Sequence, residues 1–524
     1  MPDAVIIGAG PNGLVAANML AEDGWDVVVL EAQPVAGGAV RTSELTGEPG
    51  FRHDWFSAFY PLAVTSPAMR AMELERHGVR WRRSPLVVAH PTRDGTCVSL
   101  SEDLDETAAS FDRFARGDGG AWRDVYARWQ RARDPLVDAL FGAAFPPLRA
   151  GARLAASLKR DAARFARFGV LPVRRFAEEE FAGAGAARML AGNALHADLA
   201  PETPGGALFG WLLCCMGQER GWPVPEGGAG ELAAALVRRL EAHGGTVVLD
   251  ARVAEVLVRR GRAVGVRTED GRELGAARAV IADVGAPRLY LDMIARDALP
   301  SRLLADIERR HQYDSATVKV DWALDGPIPW SHPDAHRAAT IHVSEGIDAL
   351  TLHSGELARG LVPSTPFLLL GQYSMADPTR APAGAETAWA YTHTPQAPRG
   401  DAGPEGLTGS WDERETSVFV ERMESQVEEL APGFKRLIRA RHVLTPRTFA
   451  HHDENLVNGA LGGGTAQLHQ QLVFRPATGW GRPETPIRGL YLGSASAHPG
   501  GGVHGACGAN AARTALRRAR LKPF

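Results

Sequence analysis

The feature that most constrains this chain is a short apolar run that breaks on three spaced glycines. Ala4-Val5-Ile6-Ile7 is followed directly by Gly8-Ala9-Gly10-Pro11-Asn12-Gly13. Four apolar residues in succession suit a parallel strand buried on both faces. The glycines turn that strand straight into a helix: Gly8 permits the tight turn, Gly10 lets backbone approach a pyrophosphate, and Gly13 lets the helix pack on the strand. The helix, opened by Pro11 and Asn12, then presents free N–H groups and a positive dipole end. A second strand from Val27 to Leu30 ends on Glu31 and Ala32. The Glu31 carboxylate suits the two hydroxyls of an unphosphorylated ribose and repels the extra phosphate of NADP. Strand, glycines, helix, strand and acid in this order predict a dinucleotide site, for FAD or NAD.

A chain of 524 residues is too long for one core, so two or more domains are expected, interleaved in sequence. The net charge of -3 gives no reason to expect nucleic acid as a partner. No apolar run approaches bilayer-spanning length. A strand beginning at residue 3 leaves no room for a targeting peptide, which predicts a cytoplasmic protein. Lysine occurs only at Lys159, Lys319, Lys435 and Lys522, a codon bias that suggests a bacterial source. Cys97, Cys214, Cys215 and Cys507 have neither metal-ligand nor disulfide spacing and read as buried thiols, so no metal is expected.

Further along, Gly50 to Pro61 is unusually aromatic for a connection. His53, Asp54 and Trp55 in it either reach the far end of a bound dinucleotide or form a core cluster. Between 149 and 175 the charge is one-sided, with apolar residues at helical spacing. This is a basic amphipathic helix that lies on an anionic membrane surface or is the solvated face of a lid. A second α/β block runs from Gly221 to Ala282, with a helix from Glu231 to His243 and paired strands after it. From Pro287 to Thr478 the pattern is mixed: Ala316–Leu324 and Pro366–Tyr373 read as strands of one sheet, and Glu413–Leu430 as a helix stopped by Ala431-Pro-Gly433. Near the other end, Leu490-Tyr-Leu-Gly493-Ser494 leads through His498-Pro-Gly-Gly-Gly502-Val503-His504 into a small-residue helix. Such a helix start can stabilise negative charge on a reduced flavin ring.

On these residues, together with Gly37, Gly38, Arg41, Thr42 and the Pro225-Glu-Gly-Gly228 block, the chain resembles the phytoene desaturase-related FAD-dependent oxidoreductases of the flavin amine oxidase-like superfamily. Gln471 to Pro476 and Gly505 to Asn510 are similar to the subgroup called pyridine nucleotide-disulfide oxidoreductase domain 2-like. The resemblance implies an α/β fold: a Rossmann-type FAD-binding domain from discontinuous segments 1–75, 222–290 and 484–524, with an interleaved α+β substrate domain over 76–221 and 291–483. It implies non-covalent FAD, with Glu31 on the adenosine ribose, Gly37 to Thr42 along the pyrophosphate and the Val253 backbone at the adenine. Two departures stand out. Gly493-Ser494 replaces the superfamily's glycine-acid pair, which moves ribityl contacts to Ser494 or backbone, and His504 replaces the proline of many carotenoid desaturases, which puts their polyene substrate in doubt.

A flavin accepts hydride from a C–H bond, so the protein must chiefly bury and orient the substrate. The first expectation is removal of two hydrogens from an apolar small molecule, with oxygen or a quinone among the candidate electron acceptors. His504, at the start of the final helix, is the first candidate acid–base group, its pKa lowered by the dipole, or else a hydrogen-bond donor. His53, Asp54 and Trp55 follow. The alternatives are a carotenoid desaturase at a membrane surface and a flavin-binding scaffold without turnover.

Overall fold

The computed structural model describes residues 1–142 and 147–521. The final three residues of the 484–524 segment, and 143–146, lie outside them.

Ala4–Ile7 forms the middle of a five-stranded parallel sheet, flanked by Ala279–Ala282 and Val27–Leu30, with Leu490–Leu492 and Thr246–Val248 at the edges. Its four residues are almost wholly buried, as an apolar strand covered on both faces must be. The helix Pro11–Glu22 crosses between the first two strands, with Pro11 at its first turn, where no amide hydrogen is missed. The helix Ala506–Leu521 packs beside it so closely that a Cβ on Gly508 would lie 1.8 Å from the Asn12 carbonyl oxygen. Three distant stretches, 4–30, 246–282 and 490–492, therefore share one sheet.

A seven-stranded sheet stands over this layer in the order Ile438–Leu444, Ala316–Leu324, Glu386–Thr394, Leu368–Gln372, Ala338–Val343, Leu86–Pro91 and Cys97–Leu100. Its neighbours are antiparallel except Ala338–Val343 with Leu86–Pro91. Both predicted strands of the 287–478 region lie in it, and the helix Glu413–Leu430 covers one face. Gly371 lies opposite Trp389, and the missing Cβ lets the indole lie across the neighbouring strand. A helical layer from Leu104 to Arg220 closes the remaining side.

The basic stretch differs from expectation. Instead of one helix over 149–175, the chain forms Leu148–Leu158, Ala162–Phe168 and Val173–Glu180, broken where Lys159 takes a left-handed φ of 51°. Phe165 and Phe168 turn inward onto Trp211. All four cysteines are buried free thiols. Among the described residues, no helix is long and apolar enough to cross a membrane.

Candidate functional site

Where the parallel sheet meets the seven-stranded one, a cavity of about 640 Å³ opens. At one end its wall is the C-terminal edge of the parallel strands, where open α/β sheets bind ligands. Gly8, Gly10, Pro11, Asn12, Glu31, Ala32, Gly38 and Val253 all line it there. Gly10 caps the first helix with no side-chain hydrogen bond, so the helix start is open to a ligand anion. A Cβ on Gly10 would lie 2.7 Å from Asp283 Oδ2, and one on Gly13 only 2.2 Å from the Gly8 carbonyl, so neither position accepts a side chain without movement. Glu31 sits at the strand end, its oxygens accepting from the Ala9 and Gln33 amides at 2.7 and 2.9 Å. An uncapped helix start, two glycines without room for a Cβ and a fixed acid fit a dinucleotide.

Several expected residues build this end without lining it. Gly13 donates its amide hydrogen to Asp283 at 2.8 Å. Gly37 donates to the Ala9 carbonyl. Arg41 donates from Nε to Gly38 O and from a terminal nitrogen to His452 O, at 3.0 and 2.8 Å, fixing the turn from behind. The Thr42 hydroxyl joins Asp54 to the Gly230 amide, so its role is to tie two segments together and not to run along a phosphate. Gly493 hydrogen-bonds to Ala282 O as the edge strand ends, while Ser494, Gly502, Val503 and His504 line the cavity.

The candidate catalytic residues require correction. His53, Asp54 and Trp55 are absent from the cavity wall. Asp54 is fully buried against Arg380 at 3.0 Å, and also accepts from the Tyr373 hydroxyl, the Thr42 hydroxyl and the Ala229 amide. With its oxygens committed to this hub, it has no lone pair free for a substrate. The His53 ring faces the Trp322 carbonyl at 3.3 Å, and Trp55 packs against a tilted His452 ring under the Arg41 guanidinium. The core-cluster alternative holds for all three.

His504 does line the cavity, yet both ring nitrogens are occupied. Nδ1 accepts from the Ala506 amide at 3.0 Å, capping the final helix, and Nε2 donates to Gly500 O at 3.1 Å. Burial pulls its pKa down to about 4, against smaller opposing contributions from the Gly500 and Gly501 backbone. A neutral imidazole in this fixed tautomer lacks the free lone pair that a base needs.

Sequence reasoning missed the acids behind the glycine turn. Asp283, directly after the strand Ala279–Ala282, is raised to about 8, chiefly by burial and further by Asp453 and Glu31, against the Gly13 amide. Asp453 is raised to about 6 by burial. An acid ending an apolar strand was the available signal for Asp283; Asp453 had none. Arg475 was read only as part of a motif. Its buried guanidinium donates to the carbonyls of Gly462, Gly464, Thr465 and Ala495, stitching two loops of the wall. Part of the cavity wall is apolar, formed by Phe56, Phe59, Leu208, Phe209, Leu212 and Met216.

Comparison with known proteins accords with this geometry. The family described as flavin containing amine oxidoreductase matches residues 12–516. The chain is 32% identical over 564 residues to the pyridine nucleotide-disulfide oxidoreductase domain-containing protein 2 of Rattus norvegicus, covering 98% of this chain and 93% of the relative. It is 24% identical to one of the limonene dehydrogenase polypeptides of Castellaniella defragrans, over 98% and 94% of the two chains. It is 25% identical to a neurosporene-forming phytoene desaturase of Cereibacter sphaeroides, over 96% and 92%. Among solved structures, an oxidoreductase from Methanosarcina mazei superposes with a TM-score of 0.63 at 17% identity, over 98% and 99% of the chains. Putrescine oxidase bound to putrescine gives 0.59 at 17%, over 99% of each. The open cradle, the fold and a match over nearly the whole chain converge: this protein is an oxidoreductase that belongs to the flavin-containing amine oxidoreductase family.

Proposed function

We propose that the protein removes two hydrogens from an apolar small molecule, with non-covalently held FAD as the acceptor. The observation that carries this reading is the continuity of one cavity from the glycine cradle to the apolar chamber. In it the parallel sheet would hold the dinucleotide and the seven-stranded sheet would cover the substrate. Bound FAD would supply the hydride acceptor. The chain's own residues do the rest: the uncapped helix at Gly10 and the Glu31 carboxylate position the dinucleotide, and Phe56, Phe59 and Met216 exclude water around the C–H bond. Non-covalent retention is supported by the cysteines, all buried and none in the cavity wall. The test is anaerobic loss of flavin absorbance across terpenoids, lipids, amines and alcohols. Protein that purifies without flavin and takes up no added FAD would sink the proposal.

A second reading, desaturation of a membrane-borne polyene, is supported by the cavity rim. Leu468 and Leu472 line the cavity, and Leu472, Val473 and Phe474 are also 42–48% exposed. Leu468 touches Gly205, whose amide bonds Leu171, so this loop adjoins the basic helices. There Arg149, Lys159, Arg160 and Arg164 have no ion-pair partner among the described residues. Bleaching of the flavin by polyenes in vesicles, and not by smaller substrates, separates this reading from the first.

A further inference from the structure

We infer that the cavity recognises an uncharged oxygen function, a carbonyl or hydroxyl, on an otherwise apolar substrate, through Trp389, Tyr391 and His393. The inference rests on the functional reading above and refines its substrate class.

The three residues alternate along the strand Glu386–Thr394, so their side chains leave the same face. All three line the cavity. The Trp389 and Tyr391 rings stack at 6.0 Å with 6° between planes, and Tyr391 meets His393 edge-on at 5.6 Å. Buried polar atoms normally find partners, and one left unmet is destabilising. Here Trp389 Nε1 and both ring nitrogens of His393 have none among the described residues, although each residue is only 3% exposed. Asp314, also in the wall, uses Oδ2 for the Leu461 and Gly462 amides at 2.7 and 2.8 Å and leaves Oδ1 unmet. Burial and the neighbouring Asp198 carboxylate push the Asp314 carboxyl toward its neutral form.

The unmet groups are thus an indole donor, both nitrogens of an imidazole ring, and a carboxyl biased toward neutrality. A hydrocarbon would leave every one unmet. A carboxylate would find no free cation: Arg475 is committed to backbone carbonyls, and Arg252 and Arg288 are both paired with Glu454. An ammonium would leave the Trp389 donor without an acceptor. A neutral oxygen accepts from Trp389 and His393, and as a hydroxyl it also donates.

The test is ligand binding to flavin-loaded protein, read by perturbation of the flavin spectrum, with limonene, carvone, perillyl alcohol, perillyl amine and perillic acid, and with a matched linear alkane, ketone, alcohol, amine and carboxylate. Tryptophan fluorescence of flavin-free protein provides a second readout. The ketone and alcohol of at least one skeleton are expected to bind at least about tenfold more tightly than the hydrocarbon, amine and acid. Trp389→Phe and His393→Phe are each expected to shrink that preference, the ketone and alcohol losing affinity relative to the hydrocarbon. Tyr391→Phe, which removes a single hydroxyl, serves if either of the others fails to fold. Equal binding of hydrocarbon and ketone, tightest binding of the amine or acid, an unchanged preference in the variants, or no binding of any oxygenated ligand overturns the inference. Binding of the ketone without anaerobic flavin reduction by any ligand would count against the dehydrogenation reading alone.

Discussion

The Asp283 carboxylate accepts the Gly13 amide hydrogen at 2.8 Å, so the acid that ends one parallel strand fixes the helix that follows its neighbour. Burial raises this carboxyl to about 8. A carboxyl whose folded pKa lies above its unfolded value stabilises the fold below the unfolded value, and that stability is lost as pH rises through the folded one. The flavin-free protein is therefore expected to lose stability between about pH 4 and 8 through this group. Asp283→Asn should flatten that part of the profile, so that its melting temperature relative to wild type climbs as pH is raised. A difference that stays constant with pH would refute the assignment.

Buried histidines act in the opposite direction. His504 and His498 are each pulled down to about 4, and His196 to about 3, by burial. A depressed folded pKa gives stability that is present above about 6.5 and lost as pH falls through the folded value. Thermal melts of flavin-free protein should therefore fall steeply on acidification from pH 6 to 4.

Glu31→Ala removes the acceptor for two backbone amides and the carboxylate proposed to hold the ribose. At about 1–2 kcal/mol, this corresponds to roughly tenfold weaker FAD uptake by apoprotein. Titration followed by fluorescence quenching measures it. Unchanged affinity would remove Glu31 from the cofactor site.

His504→Asn should leave hydride transfer to the flavin within about tenfold of wild type, because neither ring nitrogen is free to act as a base. The expected loss is in stability, about 1 kcal/mol from the helix cap. A collapse of the reduction rate with an intact melting curve would restore a catalytic role.

Arg380→Met leaves the Asp54 carboxylate buried without its cation, and about 3–5 kcal/mol of destabilisation is expected in thermal or denaturant unfolding. Asp54→Asn should also destabilise, by leaving the Arg380 cation buried without its anion, and should retain flavin reduction.

The parallel-sheet end was legible in the sequence because its signals are local. A strand of four apolar residues, three glycines and an acid each act within a few positions, and Gly8, Gly10 and Glu31 all reach the cavity. The strands Ala316–Leu324 and Leu368–Gln372 and the helix Glu413–Leu430 were equally readable from their patterns. What the sequence concealed depends on partners far along the chain. Asp54 and Arg380 are 326 positions apart, and nothing near Asp54 announces the ion pair that removes it from catalysis. His504 is legible in the sequence as the start of a helix, but it is the fold that brings Gly500 and Ala506 onto both its nitrogens. Trp389 and His393 carry no signal in the sequence, since an unmet nitrogen is a property of surroundings and not of spacing.

The close crossing of Gly508 on the Asn12 carbonyl and the edge strand Leu490–Leu492 make the cradle a joint product of two remote stretches. The glycines at 8–13 and the wall residues 494–504 are more than 480 positions apart, and the helix Ala506–Leu521 presses against the first helix. A lesion that loosens the distant stretch therefore opens the cradle, however intact its glycines.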